Sequence, residues 1–371
     1  MFVPLEEVSP LSGPLAAPAD GALALSMTAM PDDLPPPNHA AAGRWDEGLP
    51  FALGDSGPGV SDLQQRLARL GLWIGDDRLG HYGQGTAAAV RAFQRERGLR
   101  VDGMCGPYTW SSLVEAGYRL GDRLLYRRNP MLHGDDVGEL QRRLSALGFD
   151  PGRVDGIFGD MTAAALADFQ HNIGIASDGI CGPRTLAELW KLSLRKGGED
   201  PVTAVREQLL VSSKAQTLRD RTIAVGEPGG FQTGAVALAR ALAAIGAQPV
   251  TLHHPDESDQ ADAANTADAD CYIGLRLEPE RTGVRTLYYR GYRYESETSR
   301  QLASLVLEAV SAALELPPEG SFGMALPILR RTRMPAVVIE LGSPATVAMH
   351  TPQLAAAVTD SLVKWVSNDW A

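Results

Sequence analysis

The stretch Val101-Asp102-Gly103-Met104-Cys105-Gly106-Pro107 recurs further along the chain as Ser177-Asp178-Gly179-Ile180-Cys181-Gly182-Pro183. The correspondence extends upstream, where Leu63-Gln64 matches Leu140-Gln141. Self-similarity of this kind indicates that one structural unit occurs twice in the chain. The fold of the first half of the protein therefore depends on the structure that this repeat adopts.

The spacing of apolar residues predicts that each repeat is helical. Leu63, Leu67 and Leu70 fall at i, i+4 and i+7, which places them on one helix face. A second helix follows, in which Thr86 is positioned to cap the start and Phe93 lies on the apolar side. The Asp-Gly and Gly-Pro pairs mark turns before a third, short helix. We expect two small all-α three-helix domains, at residues 46–118 and 130–194.

At these residues the chain resembles the type 1 peptidoglycan-binding domains, whose pattern is V..LQ..L..LG, G.FG..T..A...FQ and DG..GP.T. The second copy fits closely, whereas the first reads Leu79-Gly80-His81-Tyr82-Gly83 where the family has Asp-Gly-x-Phe-Gly. The resemblance implies contact with peptidoglycan or precursor fragments, and Tyr82, Trp110 and Arg184 beside the turns are the candidate binding residues. The alternative is that the pattern specifies only the fold, because nearly all of its residues are core, cap or turn residues.

The C-terminal part of the chain, residues 221–371, alternates short apolar runs with helical ones. This alternation predicts an α/β domain with a mostly parallel sheet and helices on both faces. The strands are expected at Thr222 to Gly226, Val250 to Leu252, Cys271 to Leu277, Val284 to Tyr289 and Ala336 to Leu341, and the helices at Gly234 to Ile245, Ser296 to Leu314 and Thr351 to Val366.

This part resembles the family 3 N-acetylmuramoyl-L-alanine amidases. Ala264-Asn265, Ala269-Asp270 and the strand to Leu277 match the family's A-N...A-D-hydrophobic-I-S-I-H block. Pro335-Ala336-Val337-Val338-Ile339-Glu340-Leu341-Gly342 matches P-A-V-L-V-E-x-G-F, while only Gly229-Gly230 matches the first block, D-P-G-H-G-G.

The resemblance implies a zinc site that this sequence does not supply. In the family two His and one Glu hold zinc, and the glutamate of the last block is the base for the attacking water. Here the three ligand positions carry Pro228, Phe231 and Arg276, none of which binds zinc, whereas Glu340 occupies the base position. We therefore expect no metal and no cofactor, and a vestigial base at Glu340.

Three further groups of residues are candidate sites. We hypothesise that the Arg276 guanidinium replaces the charge of zinc and pairs with Glu340; the alternative is that it extends to solvent. Arg330, Arg331 and Arg333 form a basic cluster that is either a charged surface or a binding site for a carboxylate or phosphate, with Arg330 and Arg333 as its binding residues. The adjacent pair His253-His254 is expected to point to opposite faces and not to share a metal.

Composition limits the partners and the compartment. The net charge of −11 argues against nucleic acid, and no apolar run approaches the length of a transmembrane segment. Three scattered cysteines predict neither a disulfide framework nor a metal cluster. Residues 1–45 are expected to be a disordered tail without the basic residues of an export signal, residues 195–220 a linker, and the cytoplasm the compartment.

The domain order resembles a group of actinobacterial regulators of cell-wall synthesis. This resemblance implies a catalytically inactive amidase that acts through protein partners, such as the enolpyruvyl transferase of precursor synthesis. Two alternatives stay open: an exported zinc amidase that cleaves the bond between muramic acid and L-alanine, and an exported cell-wall anchor without catalysis. The amidase alternative requires that Glu340→Ala abolish muropeptide release.

Overall fold

The computed structural model describes residues 48–193, 217–292 and 294–367. The predicted tail at 1–45 lies outside the described residues, and so does most of the predicted linker at 195–220. The order of elements is two groups of three helices followed by a domain in which strands and helices alternate. The fold class expected from the sequence is thereby confirmed.

The two repeats are three-helix units with equivalent boundaries. Their helices are α1 (Pro58–Arg69), α2 (Gln84–Arg97) and α3 (Pro107–Glu115) in the first repeat, and α4 (Asp135–Ala146), α5 (Asp160–Asn172) and α6 (Pro183–Ser193) in the second. In each repeat a strand-like bridge joins the segment before the first helix to the cysteine before the third, through Phe51–Cys105 and Leu125–Cys181. Both cysteines are free and buried, as small core residues.

The motif glutamines are buried hydrogen-bond centres, which explains why the family pattern contains them. Gln64 Nε2 donates to the carbonyl of His81 and to Thr86 Oγ1, both at 2.9 Å. Gln141 Nε2 makes the equivalent bonds to Ile157 O at 3.0 Å and Thr162 Oγ1 at 3.1 Å. Each side chain therefore joins the first helix of its repeat to the turn that precedes the second helix and to the first turn of that helix.

The prediction that Thr86 caps α2 is wrong. The N-cap residue is Gly83, which has no side chain to accept a bond. Asp77 supplies the missing acceptor from the preceding loop: its Oδ2 accepts from the Thr86 amide at 2.6 Å and its Oδ1 from the Gly85 amide at 3.3 Å. Burial would raise the pKa of Asp77, but hydrogen bonds from Thr86 and Gly85 outweigh it and lower the pKa.

The α/β domain is built on a six-stranded sheet of order β2-β1-β3-β6-β4-β5. The strands are β1 (Thr222–Glu227), β2 (Gln248–His253), β3 (Cys271–Leu277), β4 (Val284–Tyr289), β5 (Pro318–Met324) and β6 (Ala336–Leu341). The helices are α7 (Gln232–Ala244), α8 (Glu257–Thr266), α9 (Glu297–Leu314), α10 (Pro327–Arg331), α11 (Pro344–Met349) and α12 (Thr351–Ser367).

All neighbouring strands are parallel except β4 and β6. Only residues 278–283 connect β3 to β4, which is too short for the crossover that a parallel return requires. β4 therefore runs antiparallel, beside β6. β5 was absent from the expected strands because its sequence contains Pro318, Gly320 and Gly323; such residues are tolerated because β5 lies at the edge of the sheet.

Helices cover both sheet faces, as expected. α7, α9 and α12 bury one face, with Leu238, Val306 and Val358 in the core. The shorter α8 and α10 bury the other face, with Ala261 and Leu329.

The helical repeats contact the α/β domain on the side of α10. Arg153 of the second repeat donates from Nη1 to the carbonyls of Leu329 at 2.9 Å and Thr332 at 2.7 Å. The Ala325 amide donates to the carbonyl of Gly98 in the first repeat at 2.8 Å. These contacts join all three domains. Across the described ranges, no helix combines the length and apolar character needed to cross a membrane.

Candidate functional site

Glu340 lies near the carboxyl end of β6, with only 3% of its surface exposed. The strand register places it directly opposite Arg276 on β3 and opposite Arg285 on β4. Residues that pair directly across neighbouring strands point to the same sheet face. The sheet therefore forms a row of Arg276, Glu340 and Arg285 on one face, in which a carboxylate stands between two guanidinium groups.

Both carboxylate oxygens of Glu340 accept hydrogen bonds from arginine. Arg276 Nη1 donates to Oε1 at 3.2 Å, and Arg285 Nε donates to Oε2 at 2.7 Å while its Nη2 also contacts Oε2. Arg281 Nε lies 3.5 Å from Oε2. The pairing hypothesised between Arg276 and Glu340 is therefore present as a contact, and the functional role assigned to these residues stays a prediction.

The network extends outward through two further carboxylates. Arg276 Nη2 bonds to Glu257 at the start of α8, and Arg281 Nη1 donates to Glu319 Oε2 at 2.6 Å. Glu319 Oε1 also accepts from the Gly283 amide at 2.9 Å. Burial would raise the pKa of Glu319, but the bonds from Arg281 and Gly283 outweigh it and lower the pKa. Each arginine near Glu340 is thus engaged by at least one carboxylate.

The residues at the family's zinc positions do not fit zinc. Pro228 follows β1, and Phe231 is a core residue with 3% exposure at the start of α7. An alignment anchored on the end of β1, which reads Glu227-Pro228-Gly229, would put Gly230 at the first position instead, and glycine has no ligating side chain either. Among the residues that the structure describes, no three His, Cys, Asp or Glu side chains are grouped so as to hold a metal.

Sequence reasoning missed Glu227, which pairs with His253. The Glu227 side chain is 1% exposed; its Oε2 accepts from the amides of Gly229 at 2.9 Å and Phe231 at 3.0 Å, and its Oε1 contacts His253 Nδ1. The carboxylate therefore holds the loop that follows β1. Sequence analysis could have found Glu227 from its position at the end of β1, since functional side chains of α/β folds collect at the carboxyl ends of strands.

The two adjacent histidines have separate partners. His253 pairs with Glu227, whereas His254 Nε2 lies 3.4 Å from Asp259 Oδ2 and its Nδ1 accepts from the Asp256 amide at 3.1 Å. The two side chains are therefore directed to different neighbours.

Two of the residues expected to contact a ligand in the helical repeats are core residues, so that expectation is wrong for them. Tyr82 is fully buried and donates its hydroxyl to the Gly103 carbonyl at 2.7 Å. Trp110 is 1% exposed and packs edge-on against Phe51. Tyr82 occupies the place of Phe158 in the second repeat, which is equally buried. Its aromatic ring fills the core of the repeat instead of facing solvent. Arg184 is exposed, and its role in binding stays a prediction.

The basic cluster is divided among different partners and is not a single free anion site. Arg330 Nη1 donates to Glu115 Oε2 at 2.8 Å and its Nε to the Asp155 carbonyl at 2.8 Å. Arg331 pairs with Asp262. Arg333 is exposed and its amide donates to the Asn265 side chain. Burial would lower the pKa of Arg330, but Glu115 outweighs that effect and raises it.

Comparison with known families agrees with this division of the chain. Residues 56–113 and 133–189 match the family described as a putative peptidoglycan binding domain, and residues 232–350 match the N-acetylmuramoyl-L-alanine amidase family. These ranges fall inside the domains expected from the sequence.

Individual relatives are also named as N-acetylmuramoyl-L-alanine amidases. The chain is 35% identical over 339 residues to N-acetylmuramoyl-L-alanine amidase CwlM of Mycobacterium tuberculosis, and the alignment covers 81% of this chain and 83% of that protein. It is 34% identical over 163 residues to a probable N-acetylmuramoyl-L-alanine amidase of Bacillus licheniformis, covering 39% of this chain and 46% of that protein. A solved N-acetylmuramoyl-L-alanine amidase from Clostridium difficile 630 aligns with 40% of this chain and 97% of its own, at 19% identity and a TM-score of 0.33.

Proposed function

This chain belongs to the N-acetylmuramoyl-L-alanine amidase family that includes the M. tuberculosis protein CwlM, with two peptidoglycan-binding domains ahead of its amidase domain, and we propose that it is a catalytically inactive member that regulates cell-wall synthesis. Its ligands are peptidoglycan or precursor fragments. It acts on cell-wall synthesis through protein partners.

The observation that carries the proposal is the engagement of Glu340 by arginine. A general base needs a lone pair within hydrogen-bond reach of the water that it deprotonates. Here Oε1 accepts from Arg276, and Oε2 accepts from Arg285 with Arg281 close by. In addition, the guanidinium of Arg276 stands at a position where the family places a zinc ligand, so a second cation there would be repelled. These contacts favour a structural ion network over a hydrolytic centre.

Inactivity is tested by incubating the full chain with purified peptidoglycan, with and without added zinc, and measuring released muropeptides. We expect no release above the protein-free background, and no zinc retained after dialysis. Zinc-dependent release that Glu340→Ala abolishes and the matched variant Glu319→Ala retains would overturn the proposal. That result would establish the amidase alternative.

The proposed partner is an enzyme of precursor synthesis, with the enolpyruvyl transferase as the first candidate. The resemblance to actinobacterial regulators supports this choice. The test is the turnover rate of purified transferase with increasing amounts of the chain. We expect the chain to raise the rate; an unchanged rate would remove this partner.

We place this activity in the cytoplasm, where precursors are made. The three free, buried cysteines support a reducing compartment. Cell fractionation tests the assignment. Protein recovered outside the membrane would contradict it and would favour the cell-wall anchor.

A further inference from the structure

A cavity of about 580 Å³ lies where the three domains meet. Its walls include the end of α3 from the first repeat, the start of α4 from the second, and the segment after β4 from the amidase domain. The volume is typical of sites that enclose a single small molecule. It suits a fragment of one or two sugar rings with a short peptide, and it is too small to enclose a glycan strand.

Two arginines hold these walls together, and each contacts both other domains. Arg330 of the amidase domain donates to Glu115 in the first repeat and to the Asp155 carbonyl in the second, both at 2.8 Å. Arg97 of the first repeat donates to both oxygens of Asp135 in the second, at 2.7 and 2.8 Å. Its guanidinium also lies 4.1 Å from the ring centre of Tyr292 in the amidase domain. The cavity is therefore braced by charge-assisted bonds and is preformed.

Aromatic rings from different domains face this space. Trp190 of α6 and Tyr292 after β4 line the cavity, and 46% and 44% of their surfaces are exposed. Tyr118, after α3, lines it as well. Rings that combine an apolar face with a polar tip recur at binding surfaces because they contact apolar C–H groups while hydrogen bonding at their edge. A pyranose ring, with C–H faces and hydroxyl edges, matches this surface.

One guanidinium of the lining is open to a ligand. The carboxylates Glu115, Asp135 and Glu139 are already paired with arginines, and Asp155 Oδ1 accepts from Gln141 and from the Ile157 amide. The guanidinium of Arg97 is held between Asp135 and Tyr292, and its Nε is buried. The exposed Arg119 forms no side-chain hydrogen bond or ion pair with the described residues. Its guanidinium can donate to a carboxylate of an incoming ligand.

We propose that this three-domain cavity binds a soluble, carboxylate-bearing muropeptide. The sugar ring lies against Trp190 and Tyr292, and the peptide carboxylate is held by Arg119. The choice of a muropeptide rests on the proposed function, whereas the need for an aromatic-binding ring and an anion rests on the lining itself. Because the ligand contacts all three domains, its binding stabilises their arrangement. The conformation of this regulator thereby depends on the concentration of cell-wall fragments.

The test is calorimetric titration of the full chain with N-acetylmuramyl-L-alanyl-D-isoglutamine. We expect saturable binding of one molecule per chain. Trp190→Ala and Tyr292→Ala, which alter different domains, should each weaken the affinity about tenfold, the magnitude of one lost aromatic contact. Trp73→Ala is the matched control, because Trp73 is 80% exposed and lies outside the cavity lining. No saturable binding, or equal weakening by Trp73→Ala, would overturn the proposal.

A second arm tests the charge assignment. N-acetylglucosamine carries the sugar without the carboxylate and should bind at least about tenfold more weakly than the muropeptide. Arg119→Ala should remove most of that difference. Equal affinity for the two ligands would overturn the anion assignment. Failure of both arms leaves the inactive-amidase proposal standing, since that proposal is judged by muropeptide release from peptidoglycan.

Discussion

The helical repeats keep the core and hydrogen-bonding residues of their family pattern, whereas the carboxyl ends of the central strands in the amidase sheet keep only part of theirs. In the repeats, Gln64 and Gln141 form equivalent hydrogen bonds, and the buried ring of Tyr82 takes the place of Phe158. At the carboxyl ends of the central strands, Glu340 lies in the block that resembles the family's last motif, whereas Arg276, where the resemblance implies a zinc ligand, pairs with Glu340 instead. The difference shows that a family pattern made of core and turn residues reports a fold, whereas catalysis depends on a few side chains that can change while the fold stays.

The largest effect is expected from breaking the ion network of Arg276, Glu340 and Arg285. Glu340→Ala removes the acceptor for Arg276 and Arg285 and leaves their charges facing one another across β6. Removing one partner of a buried pair costs about 3–5 kcal/mol, and the partial exposure of the arginines places the expected loss near 3 kcal/mol. Urea denaturation of the full chain measures it.

The control for this variant removes the charges together. Replacing Arg276, Arg285 and Glu340 by Leu leaves no unpaired charge in the row, and such replacements are often nearly neutral. A triple variant as unstable as Glu340→Ala would show that packing, and not charge balance, determines how much this row of residues contributes to stability.

A smaller loss is expected from the repeats, and it should be somewhat larger in the second, where Gln141 Nε2 also donates to Asp155 Oδ1 at 2.9 Å. Gln64→Leu and Gln141→Leu each leave a buried threonine hydroxyl and a carbonyl without their hydrogen-bond donor. Each variant should lose about 2–3 kcal/mol of unfolding free energy. Hydrogen exchange should localise each loss to its own repeat. A loss in only one repeat would mean that the equivalence of their hydrogen bonds does not extend to their energetics.

The junction between the repeats and the amidase domain should weaken in acid. Burial would raise the pKa of Glu115, but Arg330 and His133 outweigh it and lower the pKa to about 2, from a usual value of 4.5. A lowered pKa stabilises the fold above the unfolded value, and the contribution is lost as pH falls from 4.5 towards 2. We expect about 1–2 kcal/mol to be lost over this range, after allowing for partial exposure.

The matched control for the acid effect is Glu115→Gln, which cannot titrate. Its stability should change less than that of the natural chain between pH 4.5 and 2. Parallel pH curves for the two proteins would assign the acid sensitivity to other carboxylates with a lowered pKa, such as Glu139, where burial would raise the pKa but the bonds from Arg142 and Arg143 outweigh it.

The smallest effect is expected at the cysteines of the two repeats. Burial raises the pKa of the Cys105 and Cys181 thiols to about 12, so almost no thiolate is present at pH 8. Neither should react with a thiol reagent until the chain unfolds. Faster labelling of one cysteine would show that its repeat opens locally more often than the other.

The sequence predicted elements well where apolar periodicity was strong. The helices of both repeats and most strands of the amidase domain follow from it, and Ser296, expected at the start of a helix, is the N-cap of α9. β5 was missed because Pro318 and its glycines have low strand propensity, which an edge position overrides. The cap of α2 was misassigned because its acceptor, Asp77, comes from a loop outside the helix.

The candidate site was predictable only along single strands. Glu340 and Arg276 stood out because each lies in a recognisable block of sequence. Arg285 pairs with Glu340 only because β4 runs antiparallel beside β6, a neighbour relation that no local pattern encodes. The same limit applies to Arg330, whose partners Glu115 and Asp155 belong to other domains.

The row of Arg276, Glu340 and Arg285 also bears on what it would take to build a zinc site at this place. A histidine at position 276 alone leaves the Glu340 carboxylate held by Arg285 and Arg281. It also removes the charge that balances Glu257. Each single substitution towards the family's zinc ligands therefore costs stability before a complete ligand set exists, and a zinc site requires several changes at once. Selection on stability alone would keep the charge pairing across the three strands as it is.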